Sequence, residues 1–256
     1  MVAVVTPAVP VQIWGSGARV VLVHGSLTTG PLEWDAQRPL AEQGYQLVVP
    51  TRRAYAATGV GEDFLVDGQD VAELLGDGAH LVGHSYGALV ALVAARERPE
   101  AVRSLLLAEP PLFEATDHPA AGALQEGLVR LLARPVSDRE FLTAFLQLVG
   151  TDVADLPPEL VDELSAMVPA LRGARQPWQA RVPVAELADA AFPIVVVSGA
   201  HHPAFTAVCE ALTEQLGAQH HVVVGAGHEV QLAAAEFNAV LTRLWKPLRP
   251  CWESSA

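Results

Sequence analysis

Short apolar runs alternate with helical patterns along most of the chain. The strand-like runs fall at residues 19–23, 46–50, 79–83, 102–108, 194–198 and 221–224. Helical patterns separate or follow them at residues 34–43, 67–75, 88–96, 203–216 and 229–245. Runs that are apolar throughout favour strands covered on both faces, and their alternation with helices favours parallel pairing. We therefore predict an α/β fold with a mostly parallel sheet and helices on both faces.

Two further apolar runs near the start, Val2 to Val5 and Val11 to Trp14, predict antiparallel edge strands and bring the predicted sheet to eight strands. A different pattern occupies Leu112 to Ala190, where prolines punctuate helical segments and no β-branched run appears. We therefore predict a core made of residues 1–111 and 191–256, with residues 112–190 inserted as a helical unit.

A serine stands where a predicted strand meets a predicted helix, in the sequence Gly83-His84-Ser85-Tyr86-Gly87. The glycines leave room for strand and helix to approach closely, so that the hydroxyl projects from a sharp corner. The helix directs the positive end of its dipole at this corner, where an oxyanion would form. We therefore predict that Ser85 is a nucleophile. The alternative is an ordinary turn with a capping serine.

Two more motifs follow predicted strands and would share the carboxyl edge of the sheet, where active sites of open α/β sheets form. His228 lies in a glycine-rich turn after the last predicted strand and has the pKa range suited to a general base. His24-Gly25-Ser26 follows the run at 19–23, and the backbone N–H groups of Ser26 and Tyr86 could together hold an oxyanion. The alternatives are a histidine that only caps the next helix and an ordinary strand-end turn.

In this order the motifs resemble the α/β-hydrolase fold family: His24-Gly25, the pentapeptide from Gly83 to Gly87, and then Gly227-His228. The resemblance covers nearly the whole chain and implies that residues 112–190 form a helical cap. Thr51-Arg52-Arg53-Ala54 stands where the family often has an Asp-x-Arg-Gly turn, and its arginines are predicted to brace the edge of the site. The motifs are specific for the fold but weak for the substrate, because esterases, lactonases, thioesterases and some lyases share them.

The sequence departs from the family at the acid of the triad. The family's commonest acid is an Asp after the penultimate strand, but Gly199-Ala200-His201-His202-Pro203 stands there, and an imidazole cannot stabilise an imidazolium. The resemblance offers Glu109, at the end of the strand after the nucleophile's helix, as the alternative acid. A triad without an acid, or a Glu109 that only pairs with an arginine, stays open. No metal site is predicted at the two histidines, because neighbours in sequence rarely ligate one ion.

The composition narrows the class of partner. The chain carries 29 acidic and 16 basic residues, a formal net charge of −13, which argues against nucleic acid and anionic membranes. No apolar run reaches the roughly 18 residues that a membrane span needs, and no basic residue precedes the N-terminal apolar residues as in a secretory signal. Cys209 and Cys251 lack metal-like spacing and suit a reducing compartment. We expect a cytoplasmic protein with a small-molecule substrate, no cofactor and an oligomeric state left open.

Together these patterns predict a serine hydrolase that acts on a small or medium carboxylic ester or lactone. Ser85, His228 and Glu109 would form the triad of an acyl-enzyme mechanism, and Trp178 is a candidate substrate-lining residue. Two rival functions stay open: a cofactor-free lyase or cyclase that uses the same Ser-His pair, and a catalytically silent protein that binds a ligand.

Overall fold

The computed structural model describes residues 9–56, 60–151, 153–179, 182 and 184–246. Its strands are β1 Val11–Trp14, β2 Ala18–Val23, β3 Tyr45–Pro50, β4 Ala79–His84, β5 Val102–Ala108, β6 Ile194–Ser198 and β7 Gln219–Val222. Within this part of the chain they form one seven-stranded sheet in the order β1-β3-β2-β4-β5-β6-β7. All neighbours are parallel except the edge pair β1 and β3. The predicted α/β fold is confirmed, and the run from Val2 to Val5, predicted as a further strand, lies outside the described residues.

The helices are α1 Gly30–Glu33, α2 Arg53–Ala56, α3 Phe64–Leu74, α4 Tyr86–Glu97, α5 Pro119–Leu132, α6 Asp138–Leu148, α7 Pro158–Arg172, α8 Pro203–Gln215 and α9 Ala234–Trp245. The helix predicted at 34–43 is a 3-10 helix, Asp35–Gln43, with Pro39 inside it; a proline removes one backbone donor. The closing helix begins at Ala234 rather than at Glu229, because the 3-10 turn Val230–Leu232 comes first.

Both faces of the sheet are covered, as the apolar runs require. Val21 and Val23 pack on the face that α3, α4, α5 and α8 cover, whereas Val20 and Leu22 pack with α9 on the other face. All six residues of β4 are buried, and so are ten of the twelve residues of α4. The small side chains of α4 let it lie close against the central strands, which fixes the position of the residue between β4 and α4.

The segment predicted as an insertion, 112–190, contributes only helices and turns among its described residues. Its helices α5, α6 and α7 share an apolar cluster with Leu27 of the loop after β2, and the cluster includes Phe141, Leu142, Val161, Val168 and Leu171. Helix α6 starts at a reciprocal capping box between Ser137 and Glu140, which satisfies two backbone donors. Among the described residues no helix is both long and apolar enough to cross a bilayer.

Candidate active site

The turn that carries Ser85 joins β4 directly to α4. Ser85 has φ 51°, in the left-handed region that residues other than glycine rarely adopt. A Cβ on Gly83 would lie 2.4 Å from the carbonyl oxygen of Gly87, and a Cβ on Gly87 would lie 2.4 Å from that of Val23. Only glycine fits at either position, so strand and helix meet at a corner that presents the Ser85 hydroxyl at the carboxyl edge of the sheet.

His228 reaches the same corner from the loop after β7. Its Nε2 lies 2.9 Å from Ser85 Oγ, and its ring is buried. The last strand was predicted at 221–224 but ends at Val222, because Val222 pairs with Ser198, the final residue of β6. His228 is therefore held by a loop rather than directly by a strand end.

Glu109 directly follows β5 and is fully buried. Its Oε2 lies 3.3 Å from Nδ1 of His228, slightly beyond the usual hydrogen-bond range of about 2.7–3.2 Å. Its Oε1 accepts the backbone N–H of Gly199 at 2.6 Å. Its own N–H donates to the carbonyl of Val197 at 2.9 Å. Glu109 is therefore held by β6 and the residue that follows it, with its other carboxylate oxygen towards the histidine ring.

The loops at this edge of the sheet hold unusual backbone conformations. Four described residues other than glycine have positive φ: Leu27 (60°), Ser85 (51°), Glu109 (48°) and Ala200 (52°). They lie in the loops that follow β2, β4, β5 and β6. Such conformations persist only where the surrounding structure enforces them, and they cluster at functional sites.

Burial sets the ionisation of the His228–Glu109 pair. Burial, followed by the positive charge of His84, lowers the pKa of His228 to about 3. Burial raises the pKa of Glu109 to about 6, although the N–H of Gly199 and the nearby His201 act in the opposite direction. At neutral pH the ring is therefore neutral and the carboxylate is charged. In that state Nδ1–H can donate to Glu109, and Nε2 can accept the hydroxyl proton of Ser85.

The position where the family usually has its acid is occupied by His202, which caps a helix instead. Nδ1 of His202 accepts the backbone N–H of Ala204 at 3.1 Å, so His202 caps the start of α8. Its neighbour His201 donates from Nε2 to the carbonyl of Val149 at 3.0 Å. Nδ1 of His201 lies 3.7 Å from Oε2 of Glu109.

Ser26 and Tyr86, the predicted oxyanion-hole residues, line one cavity together with Ser85 and His228. Tyr86 is the first residue of α4, where backbone N–H groups have no acceptor within the helix. Among the described residues neither N–H donates to a protein acceptor. Both are therefore available to an oxygen atom bound beside Ser85.

The loop that contains Ser26 is held by a buried arginine. The Arg52 guanidinium donates to the carbonyl oxygens of His24 at 3.0 Å and Gly25 at 2.6 Å. It also pairs with the carboxylates of Glu62 at 2.5 Å and Asp67 at 3.1 Å. Glu62 in turn accepts the hydroxyl of Ser26 at 2.9 Å. The hydroxyl of Ser26 is thereby held by Glu62, and the backbone before it is held by Arg52.

Ser85 and His228 lie at the junction of two cavities. The smaller, which we name the inner cavity, has a volume of about 50 Å³, and the larger, which we name the outer cavity, has a volume of about 320 Å³. Aromatic side chains dominate the inner cavity: Phe113, Phe141, Phe145, Trp178 and Phe205. Phe145 and Val149 line both cavities, as do Ser26, Ser85 and His228. Since Phe145 belongs to α6, the helical segment contributes a wall to each.

The sequence analysis did not identify the buried pair of His84 and Glu33, which contacts the backbone of the site. Nδ1 of His84 lies 3.2 Å from Oε1 of Glu33, and Nε2 of His84 donates to the carbonyl of His228 at 3.0 Å. Oε2 of Glu33 accepts the N–H of Gly25 at 2.8 Å. Burial alone would lower the pKa of His84, but Glu33 and then Glu229 raise it to about 9. The only signal was the place of His84 inside the serine motif, and nothing in the pattern singled out Glu33.

Comparison with known families agrees with this fold and with the order of the motifs. Residues 20–240 match the family described as the alpha/beta hydrolase family, and the chain belongs to it. The shared fold defines where a site forms, whereas the substrate depends on the residues that line it.

Individual relatives resemble parts or the whole of the chain. A protein named as the carbamate hydrolase RutD, from Klebsiella pneumoniae subsp. pneumoniae, is 38% identical over 104 residues, and the match spans 36% of this chain and 37% of that protein. A thermophilic esterase from Thermogutta terrifontis is 21% identical with a TM-score of 0.68, over 95% of this chain and 97% of the esterase. Est816, described as an N-acyl homoserine lactone degrading enzyme, is 24% identical with a TM-score of 0.62, over 92% and 96%. The two structures show a shared fold, and the sequence match covers about a third of RutD.

Proposed function

We propose that this protein is a serine hydrolase that cleaves a small or medium carboxylic ester or lactone through an acyl-enzyme on Ser85. The observation that carries the proposal is the 2.9 Å contact between Ser85 Oγ and Nε2 of His228. A hydroxyl is a weak nucleophile until a base accepts its proton, and the neutral ring of His228 is placed to do so.

The reaction proceeds in two halves. As Ser85 Oγ bonds to the carbonyl carbon, its proton passes to Nε2 of His228, which then gives it to the leaving oxygen. Water next enters, loses a proton to His228 and attacks the acyl carbon, and His228 returns the proton to Ser85 Oγ. Glu109 keeps the ring in the Nδ1–H tautomer and balances its positive charge when it is protonated.

The N–H groups of Ser26 and Tyr86 hold the oxyanion that forms in each half. They come from two elements, the loop after β2 and the first turn of α4, and the dipole of α4 adds to their effect. Donors of this kind act because they are fixed before the charge develops, and loss of one typically costs about 10²–10³ in rate. The Arg52–Glu62 pair supplies that rigidity on the Ser26 side.

The cavities suggest the size of the substrate. A cavity needs a volume of at least about 10–15 Å³ to hold one water molecule. The inner cavity, at about 50 Å³, therefore holds roughly three to five groups the size of water. Its aromatic wall favours an apolar group. We therefore assign the acyl group to the inner cavity and the larger leaving group to the outer one. The name of RutD adds small carbamates to the substrates worth testing, since a carbamate also has a carbonyl carbon that a serine can attack.

The proposal is tested with a fluorophosphonate probe and intact-mass measurement. We expect one adduct on the unmodified protein and none on Ser85→Ala. Ser26→Ala is the matched control, because it removes a hydroxyl from the same cavity but keeps the backbone N–H, and it should still form the adduct. Equal labelling of Ser85→Ala, or a wild-type protein that resists the probe, would refute the proposal. Rates on panels of esters, lactones and carbamates then define the substrate class.

A further inference from the structure

Three potential metal donors, from the loops that follow β5, β6 and β7, converge at the proposed triad. Glu109, His201 and His228 each offer one ligand atom, and these three atoms lie within 4.8 Å of one another. Oε2 of Glu109 is 3.3 Å from Nδ1 of His228 and 3.7 Å from Nδ1 of His201. Tetrahedral zinc, with ligand distances of about 2.0–2.2 Å, separates its ligand atoms by roughly 3.3–3.6 Å. The three donors therefore stand close to three corners of such a site.

The orientation of His201 points to a ligand independently of this clustering. Its Nε2 faces the carbonyl of Val149, and because a carbonyl only accepts, Nε2 carries the proton of the neutral ring. Nδ1 then holds the lone pair, faces Glu109 and has no hydrogen-bond partner among the described residues. The side chain is only 10% exposed. Buried polar atoms are nearly always paired, so this lone pair lacks a partner that a cation would supply.

We propose that Glu109, His201 and His228 form a binding site for a borderline divalent cation such as Zn²⁺, and that its occupation inhibits the enzyme. Two imidazole nitrogens and one carboxylate oxygen are a donor set typical of zinc. The fourth position is left to water.

Inhibition follows from the tautomer of His228 and rests on the proposed function. A cation on Nδ1 takes the lone pair there, so the proton that Nδ1 carries in the resting ring is transferred to Nε2, with no net release. Nε2–H then donates to Ser85 Oγ and cannot accept the hydroxyl proton. The serine remains in place but loses its base.

A second group of possible ligands, His84 with His228 and Glu229, is less suited to a cation. Nε2 of His84 donates to a carbonyl, and its Nδ1 lies within hydrogen-bond distance of the Glu33 carboxylate, at 3.2 Å. Both nitrogens are therefore protonated while that carboxylate is charged, which agrees with a His84 pKa of about 9. A ring with no lone pair cannot bind a metal. By contrast, Nδ1 of His201 is 3.7 Å from Glu109 and has no hydrogen-bond partner among the described residues.

The experiment starts from protein stripped with a chelator and measures binding apart from activity. Titration with Co²⁺, followed by its visible absorption bands, and calorimetry with ZnCl₂ should each show one equivalent bound. The rate of fluorophosphonate labelling should fall to near zero as the site fills with Zn²⁺ and recover on chelation.

Variants at two neighbouring residues test whether the cation binds at this site. His201→Phe keeps a ring stacked on Phe205 but removes the metal donor. Its affinity for Zn²⁺ should fall by at least ~100-fold. The labelling rate of this variant should be the same with and without Zn²⁺. His202→Asn keeps an N-cap acceptor for α8 and should match the wild type in binding and inhibition. The proposal is overturned if His201→Phe retains wild-type affinity and inhibition, or if neither metal binds. Failure of the proposed function looks different: the metal-free protein would then resist the probe while Co²⁺ still binds.

Discussion

The buried Arg52 offers the strongest test of how the site is held together. Its side chain is 1% exposed, and its carboxylate partners Glu62 and Asp67 are 0% and 3% exposed. Arg52→Met keeps most of the volume but leaves two buried carboxylates and two carbonyls without their donor. Breaking a buried ion pair on one side costs about 3–5 kcal/mol. We expect the free energy of unfolding to fall by that amount, and the melting temperature by roughly 6–20 °C at about 2–4 °C per kcal/mol.

The adjacent Arg53 is a matched control. It forms two hydrogen bonds to Asp70, at 2.6 and 2.7 Å, but its side chain is 44% exposed, while that of Asp70 is 9% exposed. Exposed ion pairs contribute about 0.2–1 kcal/mol, and breaking a pair that is buried on both sides costs more. Arg53→Met should therefore lose less stability than Arg52→Met, although it removes the same charge from the next position in the sequence.

Urea unfolding, followed by circular dichroism, measures both variants against the wild type. A third variant combines Arg52→Met with Glu62→Gln and Asp67→Asn; it should recover part of the loss, because no unpaired charge is left buried. If Arg52→Met and Arg53→Met were equally stable, the buried pairs would contribute nothing beyond an ordinary surface arginine. The reasoning about Arg52 would then be wrong.

Two further predictions concern the acid and the inner cavity. Glu109→Gln should lower turnover by as much as ~10⁴ while the fold is preserved, whereas His202→Asn should change turnover little. Steady-state kinetics on one ester would measure both variants. If Glu109→Gln were fully active, the site would be a Ser-His dyad without an acid. Trp178→Ala should enlarge the inner cavity and shift the preferred acyl chain of p-nitrophenyl esters to longer members, and an unchanged order of rates would exclude Trp178 from the acyl-binding wall.

Position along the strands made much of the site predictable. Residues at the carboxyl ends of neighbouring parallel strands must lie near one another, and Ser85 and Glu109 follow β4 and β5. The predicted base, His228, lies beyond a strand that ends earlier than expected, yet the loop returns it to Ser85. Their roles as nucleophile, base and acid stay predictions that the proposed experiments address.

The sequence could not predict which side chains from distant segments contact one another. Arg52 was expected to brace the edge of the site, but its partners Glu62 and Asp67 cannot be read from spacing, because their orientation depends on how α3 packs. The sequence analysis predicted no metal site at His201 and His202, because neighbours in sequence rarely ligate one ion. The donors that do converge with His201 come from positions 109 and 228, and only the folded sheet brings them together.

The four strained loop residues constrain how this protein can change over time. Each left-handed residue costs of order 1–3 kcal/mol, so the four together approach the 5–15 kcal/mol net stability of an ordinary domain. A glycine at position 85 would relieve strain there and stabilise the fold, while removing the hydroxyl that faces His228. Under the proposed function, selection for heat resistance alone would therefore favour inactive descendants, and laboratory evolution of this chain would need an activity screen in every round.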